Sequence, residues 1–284
     1  MAEVIVYGAV NAVIYAMLAL GFALVFGVAR ILNLFHGSFY AIAAYLAWVL
    51  TGPGGLSPFA AAVLVVLLGA GLGALYDLVF VAPLRTQPIA ILMMTLATAL
   101  FTEQALLLIF GSQALSIPPL VEGPVTILGV NVGAQRLLMA VVGLTATLGL
   151  WLALNRTRLG VAILAVSQDP LGARLVGIPS ERVFRIVFAL SAALAAMAGV
   201  LAAPFLSVQP SMHLLPLVKA FAIVIVGGMG SLGGAILAAF LIAFTETAVA
   251  FWISASLSEL VALVAVFAIL VLRPQGLFGV RART

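Results

Sequence analysis

The chain is a succession of long charge-free apolar runs separated by short polar breaks. A helix needs about 20 mostly apolar residues to cross the hydrocarbon layer, and its backbone must satisfy its own hydrogen bonds there. On that basis the runs predict spans near 5–28, 36–51, 58–80, 89–110, 136–154, 185–206, 217–231, 235–253 and 256–272. Three of these are short for a straight crossing and read as tilted, re-entrant or broken helices. The expected fold is an all-α polytopic transmembrane bundle of eight or nine spans, one transmembrane domain over residues 1–284. Two longer connections stand out. Residues 111–135 are rich in Gly and Pro, with β-branched stretches suited to a small hairpin; residues 155–184 are the most charged part of the chain. The N-terminus does not read as a cleaved signal peptide. Glu3 stands where a basic region is wanted, and the apolar run Val4–Ala29 exceeds the usual core of about 7–15 residues.

Composition agrees with lipid as the solvent. Hydrophobic residues make up 65% of the chain and charged ones 7%, against about 25% charged in a soluble domain. Charge also orients the spans, because cytoplasmic loops carry the excess of Lys and Arg. With 155–184 inside, ten of the twelve basic residues fall inside; only Arg136 and Lys219 are at outer ends. This places the N-terminus outside and the C-terminus in the cytoplasm, which requires an odd number of crossings. There is no cysteine, so no disulfide framework and no thiolate metal site, and His36 and His213 form no ligand-spaced pair. The basic residues sit at span ends and not on a soluble face, so no nucleic-acid partner is expected. The only lysine, Lys219, precedes the glycines at 227–234, so no phosphate-loop pattern exists. With no nucleophile–base pair either, the expectation is a membrane subunit that is not an enzyme, holds no cofactor and has no ATPase motif of its own.

The cytoplasmic stretch AVSQDPLGARLVGIPSERVFRI carries the most information. From Asp169 to Gly177 it predicts one short amphipathic helix. Asp169 serves as N-cap, Pro170 takes the first helical position and Gly177 ends it. Leu171 and Leu175 recur at i, i+4 and form an apolar stripe suited to a partner's groove, with Arg174 to one side. The plainer reading is a polar loop that merely orients the protein.

Other positions have two readings each. Asn33, His36, Gly37 and Ser38 interrupt apolar sequence, expected near the inner interface; a satisfied interfacial or packed histidine is favoured there over a ligand. GGMGSLGG places Gly227, Gly228, Gly230, Gly233 and Gly234 within eight residues, each costing a helix about 1 kcal/mol relative to Ala. It reads either as a broken helix beside a pathway or as a tight cytoplasmic hairpin. Gly69 and Gly73 form a small-xxx-small packing pair. Two acids, Glu103 and Glu246, fall inside spans, where a charge costs a few kcal/mol and usually faces a cavity or a partner; Arg136 and Lys219 are the nearest cations by depth. They read as pathway or gate residues, or as interhelical bonds, the latter slightly favoured. Glu259 is an outer-interface acid, and in LRPQGLFG Pro274 is expected to stop the last helix.

The stretch around Asp169 resembles the coupling loop of ATP-binding-cassette importer permeases, which carries an E-A-A-x-x-x-G motif. Ala173 and Gly177 match the second Ala and the Gly, while Leu171 and Gly172 replace the Glu and first Ala. PLGARLVGI, GFALVFGVARILNLFHGSFY, KAFAIVIVGGMGSLGGAILAAF and LRPQGLFG together resemble the branched-chain (hydrophobic) amino-acid permeases, over nearly the whole chain. The resemblance implies a bacterial inner-membrane importer with two ATPase subunits, a second homologous permease and an extracytoplasmic solute-binding protein. Asp169, Leu171, Ala173, Arg174, Leu175 and Gly177 would then couple to the ATPase, and Asn33, His36 and Gly37 would form the entry to the second helix beside the pathway or its gate. An ion-driven secondary transporter using Glu103 and Glu246 stays open beside it, as does a purely structural membrane subunit.

Overall fold

A computed structural model describes residues 1–273 and 275–278. Pro274 as helix stop and Arg281 and Arg283 as inner charges lie outside the described residues. The helices are α1 (Ala2–Ala29), α2 (His36–Thr51), α3 (Pro58–Tyr76), α4 (Pro88–Phe110), α5 (Ala134–Arg156), α6 (Arg158–Gln168), α7 (Pro170–Leu175), α8 (Ser180–Ala202), α9 (Leu214–Gly227), α10 (Leu232–Trp252), α11 (Ala255–Ser258) and α12 (Val261–Leu272). A π-helical turn, Asp77–Val81, and a 3-10 turn, Ala82–Leu84, prolong α3; another 3-10 turn, Pro210–His213, leads into α9. Among the described residues, eight helical stretches are long and apolar enough to cross a membrane. The 16-residue α2 reaches only about 24 Å.

Local chemistry sets the helix ends. Ser57, Thr157, Asp169 and Ser231 each accept a backbone N–H of the helix they precede, which satisfies a donor that has no partner within the helix. α1 stops at Arg30, whose φ of 54° is left-handed.

α1 and α8 form the centre and are the most buried of the long helices. α1 lies against α10, α8, α5 and α9; α8 lies against α3 and α2. The α3–α8 contact depends on small residues. A Cβ on Gly73 would stand 2.5 Å from both the Ala192 Cβ and the Phe188 carbonyl, and one on Gly69 2.6 Å from the Ala196 Cβ. The Gly69/Gly73 pair thus packs within the chain. α3, α4, α5 and α12 turn large apolar side chains outward, among them Leu67, Phe101, Leu108, Trp151 and Phe267. Lipid tolerates such a surface; water does not.

The two ends of the bundle differ. One carries the antiparallel hairpin of β1 (Pro124–Ile127) and β2 (Val130–Gly133), in register Val125 to Val132. Tyr7 donates its hydroxyl to the Asn131 carbonyl at 2.9 Å, and Leu115 bridges Val208. The other end gathers the turn at Gly228–Ser231 beside Gly27, residues 276–277 against Val226–Gly228, and the Arg85, Arg174 and Glu181 side chains.

Two expectations need correction. The 155–184 segment is not a loop with one helix: α6 precedes α7, its apolar face inward through Ile163 and Val166. α8 also begins at Ser180, ahead of the expected 185. Its buried Val183 and Phe184 continue the apolar stripe, while Glu181 and Arg182 face out. A charge-free criterion cuts short a helix that projects past the bilayer, because there its outer face takes charges.

Candidate functional site

The segment α6–α7 lies at the charged end. Asp169 Oδ1 accepts the Leu171 N–H at 3.0 Å, Pro170 occupies the first turn, and Gly177 has φ +84° just past the end. The cap, start and stop expected for this helix are all present, although the helix itself is only the six residues Pro170–Leu175. Ala173 is buried against the bundle, whereas Leu171, Leu175 and Val176 are 68%, 82% and 76% exposed. Three adjacent apolar side chains directed away from the fold make a surface that a partner's groove would cover. Ser180 donates to the Pro170 carbonyl at 2.8 Å and ties α7 to α8.

Arg174 is not free. It contacts Glu181 at 2.5 Å; the other Glu181 oxygen accepts from Arg85 at 2.7 Å, and Arg85 reaches Asp77 at 2.5 Å. The Arg85 guanidinium also stacks 4.2 Å from the Phe184 ring centroid. Asp77 is 1% exposed at its side chain, and the Arg174 and Glu181 side chains are half exposed. This four-residue chain escaped the sequence reading. Its signal was present, since Asp77 is a third acid inside an apolar span, but its cation lies eight residues on, across the π-helical turn.

The entry to α2 is placed differently from expectation. Asn33, His36, Gly37 and Ser38 are buried in the bundle, with His36 beside the middle of α1 and not its charged end. After Arg30 the chain turns back inward, so that His36 Nε2 lies 3.2 Å from the Leu18 carbonyl, far along α1 from its end at Ala29. A carbonyl only accepts, so Nε2 carries the proton and Nδ1 accepts from Ser191 Oγ at 3.2 Å. Asn33 Oδ1 accepts the Phe35 N–H at 3.1 Å, and Thr95 Oγ1 of α4 accepts the Leu34 N–H at 3.3 Å. A Cβ on Gly37 would stand 2.7 Å from the His213 carbonyl. Side chains thus replace the helix bonds that a non-helical entry lacks inside a membrane protein.

Both expected intramembrane acids have cationic or polar neighbours. Glu246 pairs with Lys219, which also donates to the Tyr15 hydroxyl at 2.6 Å. Glu103 Oε2 lies 3.8 Å from His213 Nε2. Of the cations expected nearby, Lys219 is the partner; Arg136 instead lies over the rings of Tyr7 and Phe205.

Gly227, Gly228 and Gly230 form a hairpin, not a continuous or half-broken helix. α9 ends at Gly227, Gly228 and Gly230 take φ +101° and +94°, and Ser231 caps α10. The two helix ends nearly touch: a Cβ on Gly234 would lie 2.1 Å from the Gly227 carbonyl oxygen.

Three cavities flank these features. A cavity of about 320 Å³ at the charged end is lined by Leu24, Thr147, Trp151, Ile163 and Gly230. At the hairpin end, one of about 400 Å³ is lined by Tyr15, Leu18, Arg136, Met212 and Lys219. Another of about 570 Å³ holds Glu3, Asn11, Arg136 and Glu246. Among the described residues no cluster of His, Cys, Asp and Glu could hold a metal ion.

Comparison with known proteins agrees with this architecture. The family model described as branched-chain amino acid transport system / permease component matches residues 4–271. The chain is 30% identical to the high-affinity branched-chain amino acid transport system permease protein BraD of Pseudomonas aeruginosa, over 93% of this chain and 91% of that protein. It is 25% identical to the corresponding permease protein LivH of Escherichia coli, with the same coverage. A probable branched-chain amino acid transport permease of Methanocaldococcus jannaschii is also 25% identical, over 95% of this chain and 91% of that one. PsaBC from Streptococcus pneumoniae, solved in complex with Fab, shares the fold at 14% identity and TM-score 0.56, covering 96% of this chain and 93% of that one. A match running from the first helix through the last places the chain in one family: it belongs to the permease components of branched-chain amino acid transport systems.

Proposed function

We propose that this chain is one of two permease subunits of an ATP-binding-cassette importer that carries branched-chain, hydrophobic amino acids into the cytoplasm. Two separate ATPase subunits supply the energy, and an extracytoplasmic binding protein delivers the substrate. The chain sits in a bacterial inner membrane as a single transmembrane domain, with its N-terminus outside and its C-terminus in the cytoplasm. The observation that carries the reading is α7. It is a capped helix with exposed Leu171, Leu175 and Val176, at the end of the bundle where the arginines gather, in a chain of this permease family. An exposed apolar stripe outside the membrane-facing belt calls for a protein partner. The β1–β2 hairpin end then faces the binding protein, and the cavities at the two ends are stations on the solute's route. Aliphatic side chains need no dedicated hydrogen bonds on such a route, so selectivity rests mostly with the binding protein.

Among the pathway candidates, Glu246 and Gly230 line cavities, Glu103 and His36 reach across to neighbouring helices, Gly37 lets α2 approach the His213 carbonyl, and Asn33 holds the Phe35 N–H at the entry to α2. Lys219 of α9 and Glu246 of α10 form an ion pair that joins the two helices, a packing role that needs no transported ion and so favours this over an ion-driven carrier. The test is reconstitution of the chain with the second permease, the ATPases and the binding protein. ATP hydrolysis should rise when leucine, isoleucine or valine loads the binding protein, and uptake should survive an uncoupler. Uphill uptake on an ion gradient by this chain alone would refute the assignment.

A further inference from the structure

We propose that Arg174, Glu181, Arg85 and Asp77 form the link that passes a displacement of α7 to α4, with Arg85 as the positioning residue at its centre. The inference rests on the reading of α7 as the docking helix for a separate ATPase. α7 packs on α6 and α8. Its route toward α4 is this alternating line of charges, which ends in the turn between α3 and α4. The line is graded in strength. Arg174 and Glu181 are half exposed, so their bond opens at little cost. Arg85 and Asp77 are 14% and 1% exposed, and a buried pair loses several-fold more when one partner leaves. Arg85 therefore stays with the turn, and Glu181, shared between two guanidinium groups, is the exchangeable member.

What lies beyond Arg85 gives the link its use. Asp77 opens the π-helical turn Asp77–Val81, an irregularity at which a helix deforms more readily than along a regular ladder. α4 follows three residues after Arg85, is largely unburied, and runs as one rod of about 35 Å. Its polar attachments are few: Thr95 accepts the Leu34 N–H at the entry to α2, Thr98 bonds the Tyr76 hydroxyl at 2.6 Å, and Glu103 faces His213 at the start of α9. Movement of the turn thus reaches both elements whose entries lie inside the bundle.

The experiment uses the complete transporter and reads substrate taken up per ATP hydrolysed. Glu181→Gln removes the shared charge, and Arg85→Lys keeps the buried charge but has no fork to serve two carboxylates. Each should lower uptake per ATP by about fivefold, with subunit assembly and basal hydrolysis retained. Glu181→Asp should keep most of the coupling, and the double variant should be no worse than either single one. Unchanged uptake per ATP in both single variants overturns the proposal, as does a parallel fall in uptake and hydrolysis. Loss of assembly in both also overturns it, because the cluster is then structural only. Failure of the unmodified complex to couple hydrolysis to uptake would instead remove the docking reading beneath it.

Discussion

At the scale of single residues, Lys219 and Glu246 compensate one another inside the bundle, and the pairing fixes what a substitution does. Lys219 holds Glu246 and the Tyr15 hydroxyl, and Glu246 is 9% exposed. Lys219→Met leaves a buried carboxylate without its cation and should destabilise the folded protein by about 3–5 kcal/mol. Adding Glu246→Gln should recover most of that loss, because the uncompensated charge is gone; thermal unfolding in detergent of the two variants compares them directly. Gly73 shows the other residue-scale constraint. Gly73→Val drives a side chain into the Phe188 carbonyl and the Ala192 Cβ, and should cost at least about 1–3 kcal/mol through overpacking. The same substitution at Gly71, with open space around it, should leave the unfolding temperature nearly unchanged.

At the scale of elements, α7 and the Gly228–Ser231 hairpin are bounded by capping residues and positive-φ glycines. Gly177 at φ +84° stops α7, and a bulky residue there forces the backbone out of that region. Gly177→Leu should therefore insert into the membrane normally but separate ATP hydrolysis from uptake; full transport by that variant would count against α7 as the coupling element. Asp169→Ala removes the cap on Leu171 N–H and should weaken the short helix by about 1 kcal/mol. That loss should read out as faster hydrogen exchange confined to residues 170–176. The cap, start and stop of α7 were legible in the sequence because Asp, Pro and Gly act locally, whereas the glycine run left a broken helix and a hairpin both open. The entry to α2 was not legible. Nothing local in ILNLFHG says that the chain re-enters the bundle; that follows from the Leu18 carbonyl, Ser191 and Thr95 waiting there.

At the scale of the whole molecule, the basic ends share one face of the bundle with α7, and the β1–β2 hairpin occupies the other. The chain contains no cysteine, so single introduced cysteines can be labelled without background. A cysteine in place of Leu128, at the tip of the β-hairpin, should react with an impermeant reagent from outside intact cells. One in place of Leu175 should react only after permeabilisation. The reverse pattern would invert the orientation and, with it, the place of the ATPase.

The sequence by itself determined the solvent, the class of fold, the approximate helices, the cap and stop of α7 and the family, because each depends on hydropathy, on residues close in the chain or on a long collinear pattern. Only the tertiary structure decided that His36 is packed and not interfacial, that Glu246 takes Lys219, that the glycine run is a hairpin, and that Asp77, Arg85, Glu181 and Arg174 join across three segments. Those facts depend on which helices meet and at what depth. Apolar helices in lipid are alike in composition, so small residues and isolated charges choose their neighbours, and that choice is made between elements far apart in the chain.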